Sequence, residues 1–143
     1  MLYLAVTMHN IPEGMAVGAG FLPYLFTPSQ TTLISGLILA LGIAIQNAPE
    51  GAIISLPLKA NGYSKIKSFN YGMLSGIVEP IFAFLTIFLA KIIIPILPYL
   101  MSFAAGAMIY VVVEELLPKE SHNKTIGVMI GFLIMMILDI LLG

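Results

Sequence analysis

The chain of 143 residues contains no cysteine. That absence excludes a disulfide framework and any thiolate metal site. Charge is scarce too: 9% of residues are Asp, Glu, Lys or Arg, against about 25% in a soluble domain. The net charge is −1 and no basic patch in the sequence points to nucleic acid. No basic n-region with a cleavage site follows Met1, so the start does not read as a secretory signal. It opens directly on an apolar segment, as if the chain began partway through a longer one. HExxH is also missing, and with it the His pair and Glu base of an intramembrane metalloprotease. The chain is therefore not expected to be an enzyme.

What the chain does have is apolar length. Hydrophobic residues make up 59% and the mean hydropathy is +1.05, the composition of a polytopic membrane protein. The expected fold class is an all-α helical membrane bundle, with residues 1–143 as a single transmembrane domain. Five spans are predicted, at about 1–22, 31–58, 68–90, 99–117 and 125–142, each near the ~20 residues that cross the hydrocarbon. PYLFTPSQ (23–30), KANGYSKIK (59–67) and PKESHNK (118–124) read as connections, and so does 91–98, although IIIPIL could prolong the third span. Lys59, Lys65, Lys67, Lys119 and Lys124 fall in loops on one side and Lys91 alone on the other. The positive-inside rule then puts the N-terminus in the cytoplasm and the C-terminus outside. Gly14/Gly18, Gly72/Gly76 and Gly127/Gly131 are GxxxG pairs, read as generic close helix contacts.

Into this apolar background the sequence sets HNIPEG at 9–14 and QNAPEG at 46–51. His9 and Glu13 are four residues apart and share a helix face, as do Gln46 and Glu50; Asn10 and Asn47 lie about 100° around. Pro12 and Pro49 lack the N–H that would bond Met8 and Ile45, so a kink is expected at each. Backbone freed in this way is tolerated in a bilayer only against protein or a water-filled cavity. GIVEPIF repeats the Glu-Pro pairing at Glu79. An ionised carboxylate at mid-span costs a few kcal/mol and needs a partner. Yet every lysine lies in a loop or at a span end. The three acids must therefore be protonated or hold a metal cation. Imidazole with carboxylates suits Zn²⁺, Fe²⁺ or Mn²⁺, and amide oxygens without thiolate suit a site that binds and releases.

Plainer readings exist for each residue singly. A membrane Glu can be a protonated packing residue, an Asn or Gln an interhelical hydrogen-bond partner, and a His can be satisfied by a carbonyl. Helix packing alone does not call for the Asn-x-Pro-Glu-Gly pentad twice. Glu114 and Glu115 end the fourth span and could line an exit route or simply be interfacial. Glu120 and His122 read as solvated, Asp139 as interfacial, and the nine Met residues as core filling.

HNIPEG, QNAPEG, GIVEP and GAMIYVVVEELLPKES resemble the ZIP family of divalent-metal transporters, most closely its GufA-type branch, where Gln can open the second motif. A His is common at that position elsewhere in the family, so the resemblance implies that Gln46 softens one ligand. The resemblance implies the last five of eight helices. It implies a two-metal site at the midplane: His9, Glu13, Gln46, Glu50 and Glu79 for one ion, and Asn10, Glu13, Asn47, Glu50 and Glu79 for the other. The implied activity is transport of Zn²⁺, or of Fe²⁺, Mn²⁺ or Cd²⁺, into the cytoplasm by alternating access, in a cell membrane of the prokaryotic inner-membrane kind. The implied surroundings are the lipid bilayer and, as a candidate assembly, a homodimer, with no nucleic-acid partner. Three preceding family helices have no counterpart here, so a fragment is expected. The alternative is a transport-incompetent remnant or membrane scaffold that keeps metal binding.

Overall fold

A computed structural model describes residues 2–111, 113 and 122–142. Six helices account for almost all of them: α1 (Leu2–Phe26), α2 (Gln30–Ala60), α3 (Lys65–Gly76), α4 (Val78–Phe88), α5 (Ala90–Val111) and α6 (His122–Leu142). The α-helical membrane bundle expected from composition is thus the architecture observed. Among the described residues three stretches are long and apolar enough to cross a membrane: Gln30–Ala60, Lys65–Phe88 and Ala90–Tyr110. α1 is also long, at 25 residues, but is more polar because it carries His9, Asn10 and Glu13.

The helix ends show where local chemistry departs from the spans read off hydropathy. α1 runs through Pro23 to Phe26, so the first turn shrinks to residues 27–29. There Ser29 caps α2: its Oγ accepts from the Thr32 N–H at 3.1 Å, and Thr32 Oγ1 accepts from the Ser29 N–H at 3.1 Å. This reciprocal box satisfies two otherwise orphaned donors. α2 ends at Asn61-Gly62, where Gly62 takes φ +90°, a conformation that glycine adopts without strain. α3 begins at Lys65, capped by Ser64, three residues before the predicted start.

Two departures are larger. Residues 91–98, expected to connect spans, are helical and open α5, which keeps Pro95 and Pro98 inside it. Only Leu89 separates α4 from α5. An apolar stretch such as IIIPIL cannot leave its backbone unbonded in hydrocarbon, and a helix satisfies all but the carbonyls that the prolines free. The third span, by contrast, is broken at Ile77. Pro80 cannot donate to Gly76, and the Ile77 N–H turns instead to the Leu74 carbonyl at 3.3 Å. Pro12 and Pro49 cause no such interruption; α1 and α2 run through them.

α1 lies at the centre, packed on α2, α4 and α5. α3 packs mainly on α2 and α4 on α1, so the broken span leans on both motif helices. Small residues permit this. A Cβ on Gly14 would lie 2.6 Å from Glu79 Cα, and one on Gly72 would lie 2.6 Å from the Gly51 carbonyl oxygen. By contrast, among the described residues nothing lies within 4 Å of a Cβ on Gly127 or Gly131 of the third GxxxG pair. The interior is mixed and unusually rich in polar groups: Asn10, Glu13, Glu50, Ser68, Ser75, Glu79 and Thr86 are buried beside Val6, Leu22, Ile43, Ile54, Ile93 and Ala104, while Phe26, Phe84, Phe88 and Leu141 face outward. That inversion suits a chain whose surroundings are lipid.

Candidate metal centre

The two motif helices bring His9, Glu13 and Glu50 together. One ligand atom from each lies within 4.8 Å of the others. His9 Nε2 stands 3.2 Å from Glu13 Oε1 and 3.7 Å from Glu50 Oε1. The other ring nitrogen, Nδ1, lies 3.3 Å from the Ala104 carbonyl of α5. A carbonyl only accepts, so Nδ1 carries the hydrogen and Nε2 is turned toward the carboxylates. A proton or a cation must then mediate between Nε2 and those oxygens. Orientation of a ligating imidazole by a carbonyl behind it is a common metal-site device.

Gln46 and Asn47 act from α2. Gln46 Nε2 donates to Glu13 Oε1 at 3.2 Å, so the amide nitrogen, not its oxygen, meets the acid. Asn47 Nδ2 donates to Glu79 Oε2. Glu79 stands outside the close trio and is tied to it through Asn47. Its position is set by the Ile77 break behind it and by Gly14, whose missing side chain lets α1 lie directly against the Glu79 backbone. Asn10 Nδ2 donates to the Ser75 carbonyl at 3.2 Å, in the turn just before the break. Glu114 and Glu115 lie outside the described residues.

Among the described residues six buried side-chain oxygens have no hydrogen-bond partner: Ser68 Oγ, and five from the motif residues and Glu79, namely Asn10 Oδ1, Glu13 Oε2, Asn47 Oδ1, Glu50 Oε2 and Glu79 Oε1. Each orphaned acceptor costs about 1–3 kcal/mol. Among the described residues, no salt bridge joins a lysine to these acids. A cavity of about 430 Å³ opens beside Asn10 and Asn47, walled by Ala48, Gly51, Ser55 and Gly72. One imidazole nitrogen, three carboxylates and two amide oxygens form a hard-to-borderline donor set; of these residues only Asn10 and Asn47 line the cavity, which lies to one side of the His9–Glu13–Glu50 trio.

Sequence reasoning missed the backbone participants. Nothing in SFAAGAM marks the Ala104 carbonyl as the brace of His9, although its run of small residues signals a close helix approach. Ser75 was equally silent; the Glu-Pro pair after it was the available sign that the helix would break there.

Fold and site together define a helical membrane protein built around a buried imidazole–carboxylate cluster. The family model described as "ZIP Zinc transporter" matches residues 1–139, and the chain belongs to the ZIP zinc transporter family. Its relatives include zinc transporter ZIP11 of Homo sapiens, 47% identical over 148 residues, covering all of this chain and 43% of that protein. Zinc transporter GufA of Myxococcus xanthus is 40% identical over 149 residues, covering all of this chain and 56% of that protein. Zinc transporter ZIPB of Bordetella bronchiseptica is 36% identical over 148 residues, covering 46% of that protein. The chain thus spans about half the length of the curated relatives it matches. No solved structure gives a significant match.

Proposed function

We propose that the chain carries a divalent metal ion, zinc foremost, across a membrane into the cytoplasm, through a two-ion site at mid-bilayer. His9, Glu13, Gln46, Glu50 and Glu79 hold one ion. Asn10, Glu13, Asn47, Glu50 and Glu79 hold the second, with the glutamates shared. Gln46 reaches its ion by turning its amide oxygen inward once metal displaces the bond to Glu13. The N-terminus lies in the cytoplasm, as the lysine distribution favours. The observation that carries the reading is that His9 Nε2 faces the Glu13 and Glu50 carboxylates while, among the described residues, buried oxygens of Asn10, Glu13, Asn47, Glu50 and Glu79 lack donors and no lysine bridges the acids. A cation supplies what each of them lacks.

Binding requires the ligand oxygens to be deprotonated, so a proton arriving from one side competes with the metal and promotes its release. The test joins metal accumulation in cells expressing the full-length protein to zinc-dependent thermal stabilisation of that protein after purification. Glu13→Ala and Glu50→Ala are expected to abolish both. Wild-type zinc accumulation by either variant overturns the site assignment. Zinc-dependent stabilisation of the wild type without any accumulation assigns the chain to a metal-binding scaffold instead.

A further inference from the structure

The sequence shows no basic run, but the fold gathers basic residues at one membrane face. Lys59 lies in the last turn of α2, and Lys65 and Lys67 lie in the first turn of α3. No acid occurs between Gly51 and Val78, and among the described residues no salt bridge uses a lysine. Beside them lies a groove of about 480 Å³ lined by Ser64, Ile66, Lys67, Asn70, Tyr71 and Leu74. Its walls are held in place. Lys67 Nζ sits 4.9 Å from the centre of the Tyr63 ring, and Tyr71 meets Tyr3 edge-on at 5.9 Å.

We propose that this groove binds the headgroup of an anionic phospholipid in the leaflet on the side of the α2–α3 loop. Lys67 and the Asn70 amide, which line the groove, supply the phosphate contacts, Lys65 adds charge from the same helical turn, and Tyr63 and Tyr71 sit where amphipathic rings favour the interface. From Ile66 in the groove wall the apolar surface runs on to Phe69 and Met73 on the adjoining face of α3, the three being 75%, 61% and 58% exposed. At spacings of three and four residues they form one stripe along α3, continuing from the headgroup level into the span that begins at Lys65. That stripe takes an acyl chain. Charge above and apolar surface below match the two parts of a phospholipid, which a soluble anion cannot do.

The full-length protein in detergent is titrated with phosphatidylglycerol, phosphatidylcholine or inorganic phosphate, and bound lipid is counted by native mass spectrometry. Phosphatidylglycerol is expected to be retained preferentially. Removing charge with Lys65→Gln or Lys67→Gln weakens that retention roughly fivefold per lysine, whereas Lys67→Arg preserves it. Lys91→Gln, at the other end of the span, leaves it unchanged. Equal retention of the two lipids, an undiminished preference in the Lys65→Gln/Lys67→Gln double variant, or an equal loss in Lys91→Gln overturns the proposal. So does inorganic phosphate competing as well as the lipid at equal concentration, which makes the groove a bare anion site.

Discussion

Gly14 and Gly51 hold the same place in the two motifs, yet substitution by alanine is expected to affect them very differently. On Gly14 a Cβ would lie 2.6 Å from Glu79 Cα and 2.9 Å from its carbonyl carbon. Ordinary contact begins near 3.4 Å, so α1 and α4 must part by about 0.8 Å. Both obstacles are backbone and cannot rotate away. Overpacking of this kind costs typically ~1–3 kcal/mol. The consequence for the site is larger than for the fold. Metal–oxygen distances are tolerated to about ±0.2 Å, so a shift near four times that removes Glu79 from the proposed ligand set. On Gly51 the nearest atom to a new Cβ is the Gly72 carbonyl oxygen at 3.7 Å, an ordinary contact, and the expected change is within about 0.5 kcal/mol. Among the described residues nothing lies within 4 Å of a Cβ on Gly127, so Gly127→Ala is expected to be neutral or to stabilise by up to ~1 kcal/mol through helix propensity. The three variants are compared in the full-length protein by thermal unfolding and zinc accumulation. Gly14→Ala should unfold at a lower temperature and lose zinc uptake, while the other two keep both. Gly14→Ala with wild-type stability and uptake, or Gly51→Ala as damaging as Gly14→Ala, would refute the reasoning.

Other outcomes follow from the same geometry. Glu50→Gln replaces a buried carboxyl whose Oε2 has no donor by a neutral amide of the same shape, so the metal-free protein should be at least as heat-stable as wild type. The zinc-induced rise in unfolding temperature should vanish, and an undiminished rise excludes Glu50 as a ligand. Asn47→Leu takes away the donor to Glu79 Oε2, with an expected loss of about 1–3 kcal/mol read as a lower unfolding temperature without zinc; no change would mean that Glu79 is satisfied elsewhere. Gln46→His adds a second imidazole, which should favour Zn²⁺ over the oxygen-preferring Mn²⁺. Competition between the two ions during uptake measures this, and an unaltered ratio places position 46 outside the ion's reach.

Helical membrane character was legible because hydropathy is a property of long runs, and apolar runs dominate this chain. The polar residues of the site were legible for the converse reason: His9, Glu13, Glu50 and Glu79 are conspicuous where a charge is expensive. Helix ends were less so. Residues 91–98 look like a connection by their prolines, but the need to bond the backbone in hydrocarbon outweighs the local breakers. Pro12, Pro49 and Pro80 read alike, yet the helix is interrupted only near Pro80 of the three. The difference lies in tertiary packing: α3 leans on α2 and α4 on α1, so the third span serves two neighbours and turns between them. No local pattern records that division.

The same limit applies to the repeat. Two nearly identical hexapeptides suggest two equivalent half-sites, but the fold treats them unequally. His9 is braced from behind by α5 through Ala104, whereas Gln46 directs its amide nitrogen to Glu13 on the opposite helix. Asn10 reaches backbone at Ser75, and Asn47 reaches the side chain of Glu79. Gly14 lies under Glu79, and Gly51 beside Gly72. Each motif therefore touches both segments of the broken span through unlike contacts: α1 reaches α3 through Asn10–Ser75 and α4 through Gly14–Glu79, whereas α2 reaches α4 through Asn47–Glu79 and α3 through Gly51–Gly72. A relative movement of α3 and α4 about Ile77 would act on Asn47–Glu79 and Asn10–Ser75 in different senses, because those bonds fall on opposite sides of the break.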